Sequence, residues 1–319
     1  MTGSLWQYAV RKAGGVLVTL FGASLLIFGS LYLAPGDPAT LLAGGQIPNP
    51  EALAQIREQY HLDDPFLAQY WHWLSGVLTG NLGDSIVLKE PVASLLGSRV
   101  LTSVTLVVLA SIIILTLGIT LGVASATLGK TFDLATLTTT TILMAAPAFV
   151  LSIVLIWLFS TTLSWFPVYG SGDGAIDRLH HLVLPAIALS ASYLAFVSRI
   201  TRSEVKVELG SDHVDAARAR GVTRGKVLRR HALRNATPSV LSVSAIMFAG
   251  LFAGTAVVEQ AFGISGLGSL LVQSAARQDV VVVQSVSLLL VAAFVIVNMG
   301  VDLVNALLDP RMMSRRVAS

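Results

Sequence analysis

The residues with the greatest chemical reach in this sequence form one run, SDHVDAARARGVTRGKVLRRHALRN, at positions 211–235. Its arginines and Lys226 offer guanidinium and ammonium donors of the kind that hold phosphate or carboxylate oxygens. A nucleic-acid groove would interleave aromatic side chains for base stacking, and the run contains none, so nucleic acid is not an expected partner. Gly129, Lys130 and Thr131 imitate the end of a phosphate-binding loop, but Ala124 stands where its leading glycine belongs, and an apolar stretch precedes it. GVTRGKV, at 221–227, has the wrong spacing and no Ser or Thr after Lys226. His180 and His181 are adjacent, without the i, i+4 spacing or the carboxylates of a metal site on a helix. Cysteine is absent, which removes thiol nucleophiles, thiolate metal sites and disulfides. No Ser, His and Asp grouping supports nucleophilic catalysis. The expectation is a chain with no catalytic residue, no metal ligand and no cofactor of its own: not an enzyme.

The elements that must position the basic run are apolar. Of 319 residues, 54% are hydrophobic and 12% charged, too little charge to coat a soluble globule of this size. Six apolar runs approach the ~20 residues that cross a bilayer core of about 30 Å, near 12–34, 100–128, 136–160, 182–198, 236–258 and 282–307. The fourth is the weakest, being short and carrying Pro185. The first follows Arg11 and Lys12, and its apolar part exceeds the roughly 7–15 residues of a signal core, so an uncleaved anchor is expected.

Six crossings divide the cations unequally. Arg11, Lys12, Lys130, the ten of the 199–235 loop, Arg311, Arg315 and Arg316 fall on one side, against Arg57, Lys89, Arg99, Arg178 and Arg277 on the other. The positive-inside rule then puts both termini and the loop in the cytoplasm. Burying the loop's ten cations in lipid would cost about 25–35 kcal/mol at the per-residue insertion penalty.

Inside that loop the residue order describes a short helix. Ser211 and Asp212 suit its N-cap, Asp212 and Asp215 its positive end, Arg218 and Arg220 its negative end, and Gly221 its stop. Val214, Ala216, Ala217 and Ala219 leave its centre small enough for another surface to come close. Thr223 can cap a second helix, in which Lys226, Arg230 and Arg234 form a stripe that reaches lipid phosphates and which runs into the fifth span. The predicted object is a lever: whatever pushes the first helix moves the span.

At this point the chain resembles the membrane permeases of binding-protein-dependent ABC importers, in particular the B-type subunit of the dipeptide and oligopeptide branch. The resemblance rests on DAARARG at 215–221, RRHALRNATPSV at 229–240, LAPGDPA at 33–39, HLDDPFLAQYWHWL at 61–74, GNLGDS at 80–85, GISGLGSLL at 263–271 and ALLDPR at 306–311. Asp215 stands where the motif prefers Glu, Ser265 where Pro is common, Pro238 one position early, and APAF at 146–149 lacks the usual flanking serines. The resemblance implies an all-α membrane protein of the type I importer permease kind, with six transmembrane helices. It also implies a coupling loop in which Asp212, Val214, Asp215, Ala216, Ala217, Arg218, Arg220 and Gly221 seat in a cytoplasmic ATPase. The implied partners are a second, related permease, two ATPase subunits that hold ATP and Mg, an external substrate-binding protein, membrane lipid, and a peptide in transit. A nickel-chelate or glutathione permease is the alternative within the class, and an ion-coupled secondary carrier the alternative outside it. The implied location is a prokaryotic inner membrane.

The expected organisation is a first span over 1–34, an external helical insertion over 35–99, and a five-span core over 100–319. The insertion carries seven acids against three bases, with Trp71 and Trp73 suited to the membrane interface, and is a candidate contact for the binding protein or a packing lid. Gly118 with Gly122 and Gly250 with Gly254 permit close helix approach, within the chain or between subunits. Pro147 should kink the third span. Glu259, with Phe262 and Gly266 beyond it, is a candidate for an external gate or substrate path, and equally for a plain interfacial carboxylate. Asp302, deep in the last span, is read as hydrogen-bonded structure.

Overall fold

The computed structural model describes residues 2–33, 36–43 and 49–308. Arg311, Arg315 and Arg316, the end of ALLDPR, and Ala34 and Pro35 of LAPGDPA lie outside these residues, as does the side chain of Asp302. Among the described residues every element is helical, apart from a lone bridge between Asp84 and Pro91. In chain order they are α1 (Thr2–Leu33), α2 (Pro38–Leu42), α3 (Pro50–Gln59), α4 (Phe66–Leu78), α5 (Val92–Ile113), α6 (Ile119–Thr127), α7 (Lys130–Ala145) and α8 (Ala148–Leu155). There follow α9 (Gly174–Leu209), α10 (Asp212–Ala219), α11 (Arg224–Val227), α12 (Leu233–Ala261), α13 (Leu267–Ala276) and α14 (Val280–Leu308). Wide π turns at Ile114–Gly118 and Leu228–Ala232 carry α5 into α6 and α11 into α12 without a break.

Four helices are long and apolar enough to cross a membrane, Val10–Leu33, Val92–Thr127, Gly174–Leu209 and Val280–Gly300, and Lys130–Ala145 with Ala148–Thr162 makes a fifth span bent by 106°. The bend falls at Pro147, whose missing N–H and ring end α7 at Ala145. Its two halves still travel from one end of the bundle to the other. Asp133, near the start of α7, meets Arg202 and Lys206 of α9, whereas the Trp165 carbonyl beyond α8 lies 3.1 Å from His180 Nε2, near the opposite end of α9. Positions 180 and 202 of a helix are about 33 Å apart at 1.5 Å per residue, one bilayer core. The same reasoning places α12 across the bundle. Asn235 binds Glu208 at the far end of α9, and the Phe262 carbonyl accepts from Gly170 N–H near its beginning.

Helix α9 is the axis. The weakest of the six expected runs thus belongs to a 36-residue helix, with two-thirds of its apolar window buried by its neighbours. Pro185 sits inside it among buried neighbours, Leu184 and Ala186, although the turns before it leave Ile176 and Leu179 exposed. Both glycine pairs serve this one helix. Gly118 and Gly122 bring α6 against Leu194, Val197, Ser198 and Thr201, and Gly250 and Gly254 bring α12 against Tyr193 and Leu189. Both G-x-x-x-G pairs therefore serve packing within the chain. At its far end Arg199 donates to Thr140, Thr141 and the Leu137 carbonyl, and Asp133 accepts from Arg202, Lys206 and Ser125. These bonds continue α9 to Leu209, eleven residues into what the cation count assigns to a loop beginning at 199.

The insertion is shorter than 35–99, because α5 already begins at Val92. It folds onto α1 through an aromatic cluster, with Phe28 5.5 Å from both Phe66 and Trp73 and Tyr70 hydrogen-bonded to Ser24 at 2.7 Å, while Trp71 stays exposed. Asp279, at the start of α14, fastens its second half by accepting from Ser85 and from the backbone N–H of Ile86 and Val87.

A Cβ at Gly122 would lie 2.5 Å from the Ser198 carbonyl oxygen and 2.6 Å from Thr201 Cβ. Gly122→Val is expected to destabilise the bundle by about 1–3 kcal/mol, read as a lowered unfolding temperature in detergent. Gly97→Ala, where nothing lies within 4 Å, should be neutral or stabilising by up to about 1 kcal/mol.

Candidate functional site

The helix expected at the centre of the basic run is α10, and its ends are built as the residues prescribe. Ser211 takes the extended N-cap conformation, although its hydroxyl donates to the Glu208 carbonyl at 2.6 Å instead of capping forward. Asp212 and Asp215 occupy the first turn and Arg218 the last. The Arg218 guanidinium also donates to Asp215 at 3.0 Å. Gly221 adopts φ +76°, its N–H reaching the Arg218 carbonyl at 2.9 Å and the Val222 N–H reaching the Ala217 carbonyl at 3.2 Å. This pair of bonds is a Schellman ending, which satisfies two terminal carbonyls and requires a left-handed residue at its turn.

The eight residues assigned to this surface divide by face. Val214 and Ala217 are buried, packed with Val227, Leu209 and Val222 into a small core of their own. They attach the helix and present nothing outward. Asp212, Asp215, Ala216, Arg218, Arg220 and Gly221 are exposed. They form a short face with paired charges around one small residue. Lys226, Arg230 and Arg234 are exposed as well, on the helix that leads into α12.

What holds α10 in place was not legible from the local pattern. Glu208, on the last turn of α9, accepts from Asn235 Nδ2 at 3.0 Å, and the His213 ring lies 3.4 Å from the same carboxylate oxygen. The roots of two crossing helices are thereby tied, and α10 rides on the tie. Only the polar character of positions 208, 213 and 235 marks this in the sequence.

At the opposite end, Glu259 is fully buried, so it is not a carboxylate lying in the interface. It accepts from the Ser103 hydroxyl of α5 at 2.6 Å and from the Ser269 N–H of α13 at 2.8 Å. The same Ser103 hydroxyl oxygen accepts the Leu267 N–H at 2.8 Å. A carboxylate here meets the unpaired N–H groups and the positive end of α13. Gly266 is glycine because a Cβ there would sit 2.3 Å from the carboxylate. Phe262, one turn on, is buried in the main core. These three residues thus join α5, α12 and α13 at one point.

The family model for the binding-protein-dependent transport system inner membrane component matches residues 115–314, and the model for the N-terminal part of such membrane components matches residues 5–98. A probable peptide ABC transporter permease of Sinorhizobium fredii is 35% identical over 308 residues, covering 95% of this chain and 98% of the relative. A putative peptide transport system permease of Brucella suis is 36% identical over 306 residues, with 95% and 97% coverage. The glutathione transport system permease GsiC of Escherichia coli is 35% identical over 309 residues, with 95% and 98% coverage.

Two substitutions separate the ends of the molecule. Val214→Asp, placing a charge in the small core beneath α10, is expected to accelerate tryptic cleavage at Arg218 and Arg220 while leaving the unfolding temperature of the bundle within experimental error. Glu259→Ala should do the reverse, lowering bundle stability by about 1–3 kcal/mol through the unsatisfied donors it leaves.

Proposed function

This chain belongs to the family of binding-protein-dependent transport system inner membrane components, and from that membership we propose how it couples and what it carries. It is a non-catalytic permease subunit of an ABC importer, which works with ATPase and substrate-binding partners. An ion-coupled secondary carrier, the alternative from outside the class, is set aside by that membership.

The proposed coupling element is α10. The observation that carries it is mechanical: a helix with an exposed face of Asp212, Asp215, Ala216, Arg218 and Arg220 is mounted on the tied roots of α9 and α12. A push on that face is delivered to two crossing helices at once. In this reading the face seats in a groove of one of two ATPase subunits, which bind ATP and Mg, and their closure rocks this chain against a second permease. Both termini and α10 face the cytoplasm, as the cation bias supports. The insertion around α3 and α4, at the other end, faces the binding protein. Glu259, Phe262 and Gly266 hold the external end of the pathway together, as a junction whose rearrangement accompanies opening.

The proposed cargo is short peptides. Relatives named as peptide permeases and as a glutathione permease support this, glutathione being itself a tripeptide.

The test is co-purification with the cognate ATPases. Gly221→Val forces a β-branched side chain into a left-handed turn, and Asp215→Lys reverses a charge on the exposed face. Each should reduce recovered ATPase at least about tenfold and abolish peptide uptake, with membrane insertion and unfolding temperature unchanged. Undiminished recovery and uptake in both variants would remove α10 from the coupling role.

A further inference from the structure

The insertion holds a group of side chains that the transport reading leaves unused. Helix α3 ends at Gln59 in a Schellman turn, with His61 N–H on the Glu58 carbonyl at 3.3 Å and Leu62 N–H on the Arg57 carbonyl at 2.9 Å. The left-handed residue of that turn, the position glycine favours, is His61 at φ +52°. A histidine here is less comfortable than a glycine by about 1 kcal/mol or more. The next turn brings Asp64 N–H to the His61 carbonyl at 3.1 Å, and α4 then lays His72 across His61, the rings 4.5 Å apart and 18° from parallel. His61 Nδ1 lies 3.8 Å from Asp64 Oδ2. One nitrogen or oxygen from each of His61, Asp64 and His72 falls within 4.8 Å of the others.

We propose that His61, Asp64 and His72 form a binding site for a divalent transition-metal cation of the zinc class. Metal–nitrogen and metal–oxygen bonds of about 2.0–2.2 Å require donors roughly 3.3–3.5 Å apart in a tetrahedron. All three side chains are exposed and free to turn, and binding requires the His61 and His72 rings to leave their near-parallel stack so that both in-plane lone pairs meet one ion. Two imidazoles with one carboxylate select Zn²⁺, Co²⁺, Ni²⁺ or Cu²⁺ over Ca²⁺ and Mg²⁺, which demand oxygen shells. Three protein ligands leave a coordination position open. His61 and His72 also line a cavity of about 410 Å³, together with Gln69, Asn81 and Asp84. The two imidazoles thus border a cavity of mixed character, whose Asn81 and Asp84 bring further oxygen donors to the neighbourhood, and water can complete the shell. The site lies at the opposite end of the chain from α10 and does not depend on the coupling role given to that helix.

The conformation of His61 supplies a clean variant. His61→Gly deletes the imidazole and places the favoured residue in the left-handed turn, so it should fold at least as well as the parent chain. The full chain, purified in detergent without a histidine tag, is titrated with Co²⁺ and followed by its visible absorption, then with Zn²⁺ in competition. The parent chain should take up one equivalent, displaced by one equivalent of Zn²⁺ and not by millimolar Ca²⁺ or Mg²⁺. His61→Gly, Asp64→Asn and His72→Gln should each weaken binding at least about tenfold. Zn²⁺ should raise the unfolding temperature of the parent chain and leave that of His61→Gly unmoved. Absence of saturable uptake by the parent chain, or binding that persists in all three variants, would overturn the site. So would its loss in a His180→Gln, His181→Gln control.

Discussion

The architecture depends on close backbone approach along α9. Lipid gives helices no hydrophobic reason to associate, so contact must come from packing and from hydrogen bonds sheltered from water. Gly118 and Gly122 supply the first condition from one neighbour, Gly250 and Gly254 from another. Where α9 emerges from the packed glycines, Arg199, Arg202 and Lys206 add partly exposed bonds to the Thr140 and Thr141 hydroxyls and the Asp133 carboxylate, while Ser103 and Glu259 supply a buried one at the other end. With that axis set, α7 and α8 can be broken at Pro147 without loss of the span, since each half is anchored to a different end of α9.

The two ends of the bundle are held by different physics. At the α13 end the fastening is buried and ionic in character, a carboxylate meeting N–H groups at a helix start. It is geometrically demanding, as the collision awaiting any Cβ at Gly266 attests. At the α10 end the fastening is exposed and modest, a small apolar patch of Val214, Ala217 and Val227 with one polar tie. Local stability follows the number of buried contacts, so α10 belongs to the easily displaced part of the molecule and Glu259 to the resistant part.

Much of this was legible in the residues, and what was not has a common cause. Apolar length located the four long spans and the bent fifth, Pro147 located the break, and the order of charges with Gly221 located α10 to within a residue. The end of α9 was misplaced because Arg199, Arg202 and Lys206 look like loop residues until their partners on α7, Thr140 and Thr141 for the first and Asp133 for the other two, are beside them. Glu259 reads equally as a gate residue and as an interfacial carboxylate, because its partners, Ser103 and Ser269, come from other helices. His61 and His72 stand eleven positions apart in HLDDPFLAQYWHWL, and their stacking follows a left-handed turn at a non-glycine position, a conformation that residue type alone does not announce. Local patterns were readable, whereas partnerships across the fold had to be seen.

The Glu208 to Asn235 bond closes the chain on itself at the root of the basic segment, across 27 positions. What lies between carries an apolar patch of its own, Val214, Ala217 and Val227 packed with Leu209 and Val222. Substitutions on the exposed face of α10 can therefore accumulate without touching the close glycine contacts along α9. The bundle keeps its packing while that outer face varies.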